Sequence, residues 1–372
     1  MIKAKTIFYI KTFNIIGGVE QWMYYIAKLY GKRKDFIVLY RDGDKKQIER
    51  LVKFCNVKLY NDEEIECETA IFCYHFDIID KVKAKEYYHF IHGNMEAVRR
   101  LYPHMDMIAP PQVTKQCSVS KITQDGYKKI YGIDTELFYN VVDIDKLEKP
   151  IREITTPRKL KLITASRLRD AIKGFDYMEI IAKKLKEKNI PYEWLCFSDK
   201  PTKEINGNFT FLKPNLDITP YIAEADYLVQ TSRDESYGYS MVEALSLGVP
   251  IIVTDIPVLK ELGIKDTEHG YVLDFDMNNL DVDKIYNDIP IISNYEPPMD
   301  KEKWEKILGE DVKELYVYDQ EYAEHLIDSK WIALARVRDD EGVKYNGDKV
   351  FVESHERIRM LLNHNLIKRI YD

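Results

Sequence analysis

The sequence predicts an α/β protein built from two successive doubly wound, Rossmann-like domains, with a small β-β-α appendage at the C-terminus. Three observations predict it. All-apolar segments of strand length alternate with helix-length amphipathic stretches, the pattern of buried parallel strands joined by crossover helices. The alternation stops at Lys149-Pro150-Ile151-Arg152-Glu153-Ile154-Thr155-Thr156-Pro157, a charged stretch bracketed by prolines, and then restarts. The chain has 372 residues, too many for one ordinary core and suited to two domains of roughly 150 each. The expected division is 1–150, 151–310 and 311–372.

In the first half, Thr6–Ile10 is a buried-type strand, and Gly17-Gly18 opens a helix running to about Leu29. Phe36–Tyr40 is the next strand, followed by a charged helix near Lys46–Phe54; Ala70–Tyr74 and Tyr87–Ile91 complete the series. After the linker, Leu160–Ala165 is a strand and Gly174–Lys188 an amphipathic helix. Short strands follow at Trp194–Phe197 and Phe209–Leu212, then Tyr227–Gln230 and Ile251–Val253. Asp300–Leu308 reads as a short helix closing the second domain. Beyond it, Trp331–Val337 and Lys349–Val352 suggest two strands, and His355–Asn363 a helix.

Composition excludes several classes. With 45% hydrophobic and 31% charged residues the chain is neither disordered nor fibrous. No apolar run approaches the roughly 18 residues that span a bilayer, and Met1–Phe8 enters a strand without signal-peptide architecture, so a cytoplasmic location is expected. The five cysteines are scattered and read as reduced core residues. His89 and His92 flank Phe90-Ile91 at a strand end, a poor arrangement for a shared metal. Residues 1–150 hold 24 Lys+Arg against 21 Asp+Glu, and the remainder is acidic within an overall charge of −7. A mildly basic first half fits an anionic acceptor or peripheral contact with the inner face of a membrane, and equally an ordinary surface. Duplex DNA, which needs a basic stripe, is not an expected partner.

The chemistry concentrates in Ser232-Arg233-Asp234-Glu235-Ser236-Tyr237-Gly238-Tyr239-Ser240-Met241-Val242-Glu243-Ala244-Leu245. Glu235 and Glu243 lie eight apart, where a strand, a loop and a helix follow one another. One acid and several backbone N–H groups then face the carboxyl end of a parallel sheet, with the second acid about two turns along the helix. A phosphorylated, hydroxyl-rich ligand suits such a site. Asn14-Ile15-Ile16-Gly17-Gly18-Val19-Glu20 joins the first strand to the first helix; its glycines allow close backbone approach and the helix start favours a negative group. Ser166-Arg167-Leu168-Arg169-Asp170-Ala171-Ile172-Lys173-Gly174 brings basic groups to the end of the second domain's first strand. His92, before Gly93, ends a strand of the first domain.

Read as S-x-x-E-S-Y-G-Y-S-x-x-E-A-L-x-x-G-x-P, the segment resembles the donor site of family 4 retaining glycosyltransferases, which have the GT-B fold of two Rossmann-like domains facing a cleft. Gly17-Gly18-Val19-Glu20 is similar to the family's G-G-x-E element, and Ser118–Lys121 and Tyr139–Asp143 resemble later landmarks in the expected order. The likeness covers about residues 1–310 and none of the tail. It implies a transferase that moves a sugar from a nucleotide-sugar, UDP-sugars foremost, to a glycan, lipid-linked or polymer acceptor, with no metal or other cofactor. Glu243 would hold the ribose hydroxyls and Glu235 the donor sugar. The N–H groups of Ser236, Tyr237 and Gly238 would meet sugar or phosphate, and Gly17 and Gly18 would face the diphosphate. Arg167 and Lys173 would neutralise that diphosphate, although the usual spacing is one residue shorter, so the loop bulges or Arg169 shares the role. His92 would contact the sugar near the reacting carbon.

Two other readings stay open: a non-catalytic GT-B glycan-binding or accessory subunit, and a phage-type transferase acting on a modified DNA base. Residues 311–372 would dock a partner or join copies into a homo-oligomer. The triplets Asp42-Gly43-Asp44, Asp143-Ile144-Asp145, Asp274-Phe275-Asp276 and Asp281-Val282-Asp283 lack the single-sheet context of a metal-binding D-x-D motif and read as surface or turn acids.

Overall fold

A computed structural model describes residues 1–14, 16–33, 35–101, 107–145, 158–198 and 205–308, together with five short strands between 331 and 369. The chain divides into two compact units. One comprises residues 1–15, 26–85 and 311–372, the other 16–25 and 86–310. This division runs across the one expected from sequence, whose boundary at 150 falls outside the described residues.

In the first unit, β1 (Thr6–Tyr9), β2 (Phe36–Tyr40), β3 (Asn56–Leu59) and β4 (Thr69–Phe72) form a parallel sheet in the order β4-β1-β2-β3. Strands β1, β2 and β4 are buried on both faces, which explains their unbroken apolar sequence. Helix α1 (Gly18–Tyr30) carries Gly18–Tyr25 into the second unit. Helix α2 (Lys45–Val52) is capped by Asp44, whose side chain accepts from Lys46 N. That accounts for one of the D-x-D acids. Asp281 caps a later helix in the same way.

The second unit opens with β5 (Glu86–Ile91), α3 (Met95–Leu101), β6 (Lys115–Ser118), α4 (Lys121–Tyr131) and β7 (Glu136–Leu137), the three strands pairing in parallel. A six-stranded parallel sheet follows, made of β8 (Leu160–Ala165), β9 (Tyr192–Phe197), β10 (Thr210–Leu212), β11 (Tyr227–Gln230), β12 (Ile251–Thr254) and β13 (Gly270–Leu273). Its order is β10-β9-β8-β11-β12-β13. The chain builds outward from β8 in one direction, then returns to β11 on its other side and builds the opposite way. The two strands flanking this reversal splay their following loops apart, which makes the carboxyl edge between β8 and β11 the ligand crevice of a doubly wound sheet. Helices α5 (Phe175–Glu187), α6 (Thr219–Glu224), α7 (Tyr239–Ser246) and α8 (Val258–Glu261) lie in the connections, and α9 (Val282–Asn287) follows β13. A core of Leu160, Leu162, Met178, Ile181, Leu185, Trp194, Tyr227 and Val229 lies between sheet and helices.

Helix α10 (Lys301–Leu308) lies at the end of the second unit. Its fully buried Trp304 stacks on Phe90 of β5 (4.9 Å, 17° between planes) and meets Phe138 and Trp22 edgewise or tilted at 4.9 and 5.8 Å. An aromatic anchor of that size fixes the helix on β5. In the tail, Trp331–Ala333 pairs antiparallel with Lys349–Val350, as the expected two strands would, and also with Ile367–Arg369, which the sequence left unassigned. The expected linker at 149–157 and helix at 355–363 lie outside the described residues. Among those that are described, no helix is long and apolar enough to cross a membrane.

Truncating Trp304 to Ala should lower stability by about 3–5 kcal/mol, the usual range for deleting a buried aromatic. Urea-unfolding midpoints of the two proteins would check this.

Candidate functional site

The loops that leave β8 and β11 at the reversal point are Ser166–Gly174 and Thr231–Gly238, the two basic and acidic segments singled out in the sequence. Lys173 and Glu235 meet there. Lys173 Nζ lies 2.7 Å from Glu235 Oε1, with the two side chains 16% and 13% exposed. Gln230 Nε2 (2.8 Å) and Ser232 Oγ (2.7 Å) donate to the same oxygen. All three donors therefore converge on Oε1. No donor to Oε2 occurs among the described residues, so that oxygen keeps its accepting capacity. Gln230 is itself oriented by Ser240 of α7, whose hydroxyl donates to its Oε1.

Backbone geometry makes this meeting possible. The loop after β8 closes in a 3-10 turn, Ala171–Lys173, that ends in Gly174 with φ +64°. A Cβ at Gly174 would lie 1.8 Å from Thr231 O, so only glycine lets the two loops touch. Thr231 Oγ1 seals the contact by donating to Gly174 O at 2.8 Å. Gly238, φ +80°, starts α7 in the left-handed conformation, and a Cβ there would lie 2.2 Å from the Met241 side chain.

Asn94, just past β5, joins a third segment to the site. Its Nδ2 donates to Asp234 Oδ1 (2.8 Å), and its backbone N donates to Ser236 Oγ (3.0 Å). Burial pushes the Asp234 carboxyl up, with the Asn94 hydrogen bond opposing. Gly126 of α4 makes room: a Cβ there would lie 2.5 Å from Asn94 Oδ1.

His92 lies edge-on to Trp22 at 4.7 Å, and burial together with neighbouring His89 pushes its pKa down to about 3. The imidazole is uncharged at neutral pH. Arg167 is 60% exposed and pairs with Asp170 at 3.5 Å, separately from the Lys173–Glu235 pair. Gly18 has open space where a Cβ would stand, so packing does not require a glycine there. Close approach by a ligand is a reason that remains. Tyr237 is buried, and its hydroxyl lies at the hydrogen-bonding limit, 3.5 Å, from Asn140 O.

Glu243 occupies a different environment from Glu235. It is 3% exposed, and its Oε1 accepts from Gln21 Nε2 (2.6 Å) and Tyr25 OH (2.8 Å), both on α1. Glu20, one position before Gln21, is buried, and burial pushes its carboxyl up to about 7 against the opposing pull of Arg167. The site thus unites Lys173 with Glu235, and Asn94 with the Asp234–Ser236 turn. Sequence reasoning missed Gln230, Asn94, Gln21 and Tyr25. For Gln230 and Asn94 a signal was present, a polar residue at or just past the carboxyl end of an apolar strand. Among the described residues no group of three or more His, Cys, Asp and Glu side chains could hold a metal ion.

The fold is that of the GT-B class. HepE of Anabaena, solved in complex with UDP and glucose, is similar over 87% of this chain and 100% of its own, with a TM-score of 0.55 and 16% identity. A glycosyltransferase from Rickettsia africae is similar over 87% and 93%, at TM-score 0.53 and 14% identity. More particularly, residues 159–286 match the family model described as glycosyl transferases group 1, which agrees with the glycosyltransferase resemblance of the sequence motifs. An uncharacterized 41.2 kDa protein in the cps region of Klebsiella pneumoniae is 26% identical over 227 residues. That match takes in 55% of this chain, which spans 61% of the length of this curated relative.

The raised Glu20 carboxyl has a pH signature. Its protonated form is favoured in the folded state, so its contribution to stability is whole below about pH 4.5 and is lost as pH rises through about 7. Glu20→Gln should therefore unfold later than the parent at about pH 8, by up to about 3 kcal/mol, and the gap should shrink towards about pH 5. Urea midpoints at both pH values would measure it.

Proposed function

We propose that this chain is a retaining glycosyltransferase that moves a sugar from a nucleotide-sugar, a UDP-sugar first among them, to a hydroxyl of a glycan, lipid-linked or polymer acceptor, without a metal. The observation that carries the reading is the Lys173–Glu235 pair at the reversal point of the second sheet, with Glu235 Oε2 left to accept from a ligand. A carboxylate whose one oxygen is saturated and whose other is open is suited to orienting a sugar hydroxyl. The match of residues 159–286 to group 1 glycosyltransferases supports the same conclusion. HepE's complex with UDP and glucose makes UDP the first nucleotide to test.

In this reading the donor's bond from sugar C1 to the diphosphate oxygen breaks, and its electron pair leaves with the diphosphate. The acceptor oxygen bonds to C1 on the same face, and its proton passes to the departing phosphate. Charge grows on that phosphate as the bond breaks, so fixed cations lower the barrier. Lys173 and Arg167 supply them, and the N–H groups of Ser236, Tyr237 and Gly238 and the backbone at Gly17 and Gly18 add dipoles. Neutral His92 contacts the sugar near C1 without adding charge. Glu243 takes the ribose hydroxyls, which replace the Gln21 and Tyr25 donors it holds in the ligand-free chain. No side chain is assigned as a covalent nucleophile.

Glu235→Gln and Lys173→Ala should each lower donor kcat/KM at least tenfold, about 1.4 kcal/mol in the barrier. UDP at ~100 times its Kd should add roughly 2.7 kcal/mol to the stability of the parent chain. Turnover of UDP-sugars, with and without added acceptors, and unfolding with and without UDP are the measurements. A chain that neither binds nor turns over any nucleotide-sugar would be an accessory subunit instead.

A further inference from the structure

Arg233 is assigned no contact with the donor, yet it reaches across the reversal point to the loop that carries Lys173. Its backbone N donates to Ile172 O at 2.7 Å. Its Nη1 donates to Ala171 O (2.8 Å) and to Asp176 Oδ1 (3.0 Å), and its Nη2 to Asp176 Oδ2 (2.5 Å). The guanidinium lies over the Tyr177 ring, 4.4 Å from its centroid. Every one of these partners falls between residues 171 and 177, the segment that contains Lys173 and Gly174.

We propose that Arg233 is a positioning residue that sets Lys173 for the donor diphosphate, a role that rests on the donor-site reading and extends it. A lysine is a point charge on a flexible four-carbon stem, and its value to a phosphate depends on where its backbone is held. The backbone here is a single 3-10 turn, in which Lys173 N donates to Asp170 O at 2.9 Å and Gly174 N to Ala171 O at 3.2 Å. Arg233 adds a side-chain donor to Ala171 O and a backbone donor to Ile172 O. The fork of Asp176 fixes the guanidinium in plane, and Tyr177 supports it from below. Because Arg233 lies two residues before Glu235, the same side chain keeps both ends of the Lys173–Glu235 pair in one register.

Exposure separates this role from plain structural support. Arg233 and Asp176 are 35% and 50% exposed, and ion pairs that open to water contribute little to global stability. Loss of the clamp is therefore expected to show in ligand binding more than in unfolding.

The test uses the full chain and UDP in titration calorimetry, beside thermal unfolding without ligand. Arg233→Ala should raise the UDP Kd about tenfold while shifting the unliganded Tm by less than about 3 °C. Arg233→Lys, which reaches one acceptor but lacks the fork, should recover part of the loss, and Asp176→Asn should give a smaller loss in the same direction. The double variant Arg233→Ala/Lys173→Ala should bind UDP no more weakly than Lys173→Ala alone, because the arginine acts through the lysine. Multiplying losses would mean that Arg233 meets the ligand itself and would overturn the positioning role. So would parent-like binding by Arg233→Ala beside a defective Lys173→Ala. Should Arg233→Ala unfold, Arg233→Lys and Asp176→Asn decide on the same criteria. A parent chain that binds neither UDP nor any other nucleoside diphosphate would remove the donor reading, and this proposal with it.

Discussion

A carboxylate drawn out of water has to be met by donors or give up its charge, and Glu235 at 13% exposure is the place where this chain faces that requirement. Its solution is asymmetric. An ammonium, an amide and a hydroxyl all point at Oε1, each supplied by a different part of the local structure: the loop after β8, the end of β11 and the loop after β11. Much of the surrounding geometry can be understood as what it takes to bring those three donors to one atom. Gly174 must be glycine for the loops to approach, Thr231 must bond its carbonyl, and Ser240 must turn the Gln230 amide so that its nitrogen faces the acid. The ion pair by itself is not a source of stability, since desolvating both charges offsets most of their attraction. Its worth is positional.

The order of strands in the second sheet puts this arrangement where it is. Had β11 been added beyond β10 instead of beside β8, the loops after β8 and β11 would have been separated by two strands. The return to the middle of the sheet places them side by side, and it also leaves a crevice between them because the two connections run to opposite sides. A ligand entering that crevice meets Lys173 from one side and Glu235 from the other. Asn94 adds a third wall by holding Asp234 and Ser236, residues on either side of Glu235.

How much of this the sequence made legible follows from the physics of each feature. Strands such as Phe36–Tyr40 and Ile251–Thr254 announce themselves because burial on both faces demands unbroken apolar runs. Lys173 and Glu235 were legible through their motifs, which constrain spacing along the chain. Arg233 and Asp176, 57 positions apart, and Asn94 and Asp234, 140 apart, were not, because their pairing depends on which loops end up adjacent. Helix α10 shows the same limit. Its amphipathic pattern states that Trp304 is buried but not against which sheet, and the stacking on Phe90 could be found only in three dimensions. The three-residue strand Ile367–Arg369 is too short to carry a periodic signal.

The two glutamates that look equivalent in the sequence differ most in what a ligand must do to reach them. Glu235 is organised by its own loop and neighbouring strand, and one oxygen stays available, so a sugar hydroxyl can bond it without displacing any donor. Glu243 is sunk to 3% exposure beneath helix α1, with an amide and a phenol already donating to it. A diol that takes Glu243 Oε1 exchanges with those donors, and the exchange returns less than the gross energy of the new hydrogen bonds because two existing ones are lost. Gln21 and Tyr25 lie one and two turns into the helix that Gly17 and Gly18 open. In the proposed donor-bound state their side chains leave Glu243 Oε1 close to the helix start that carries the glycine turn, whereas Glu235 Oε2 needs no such exchange.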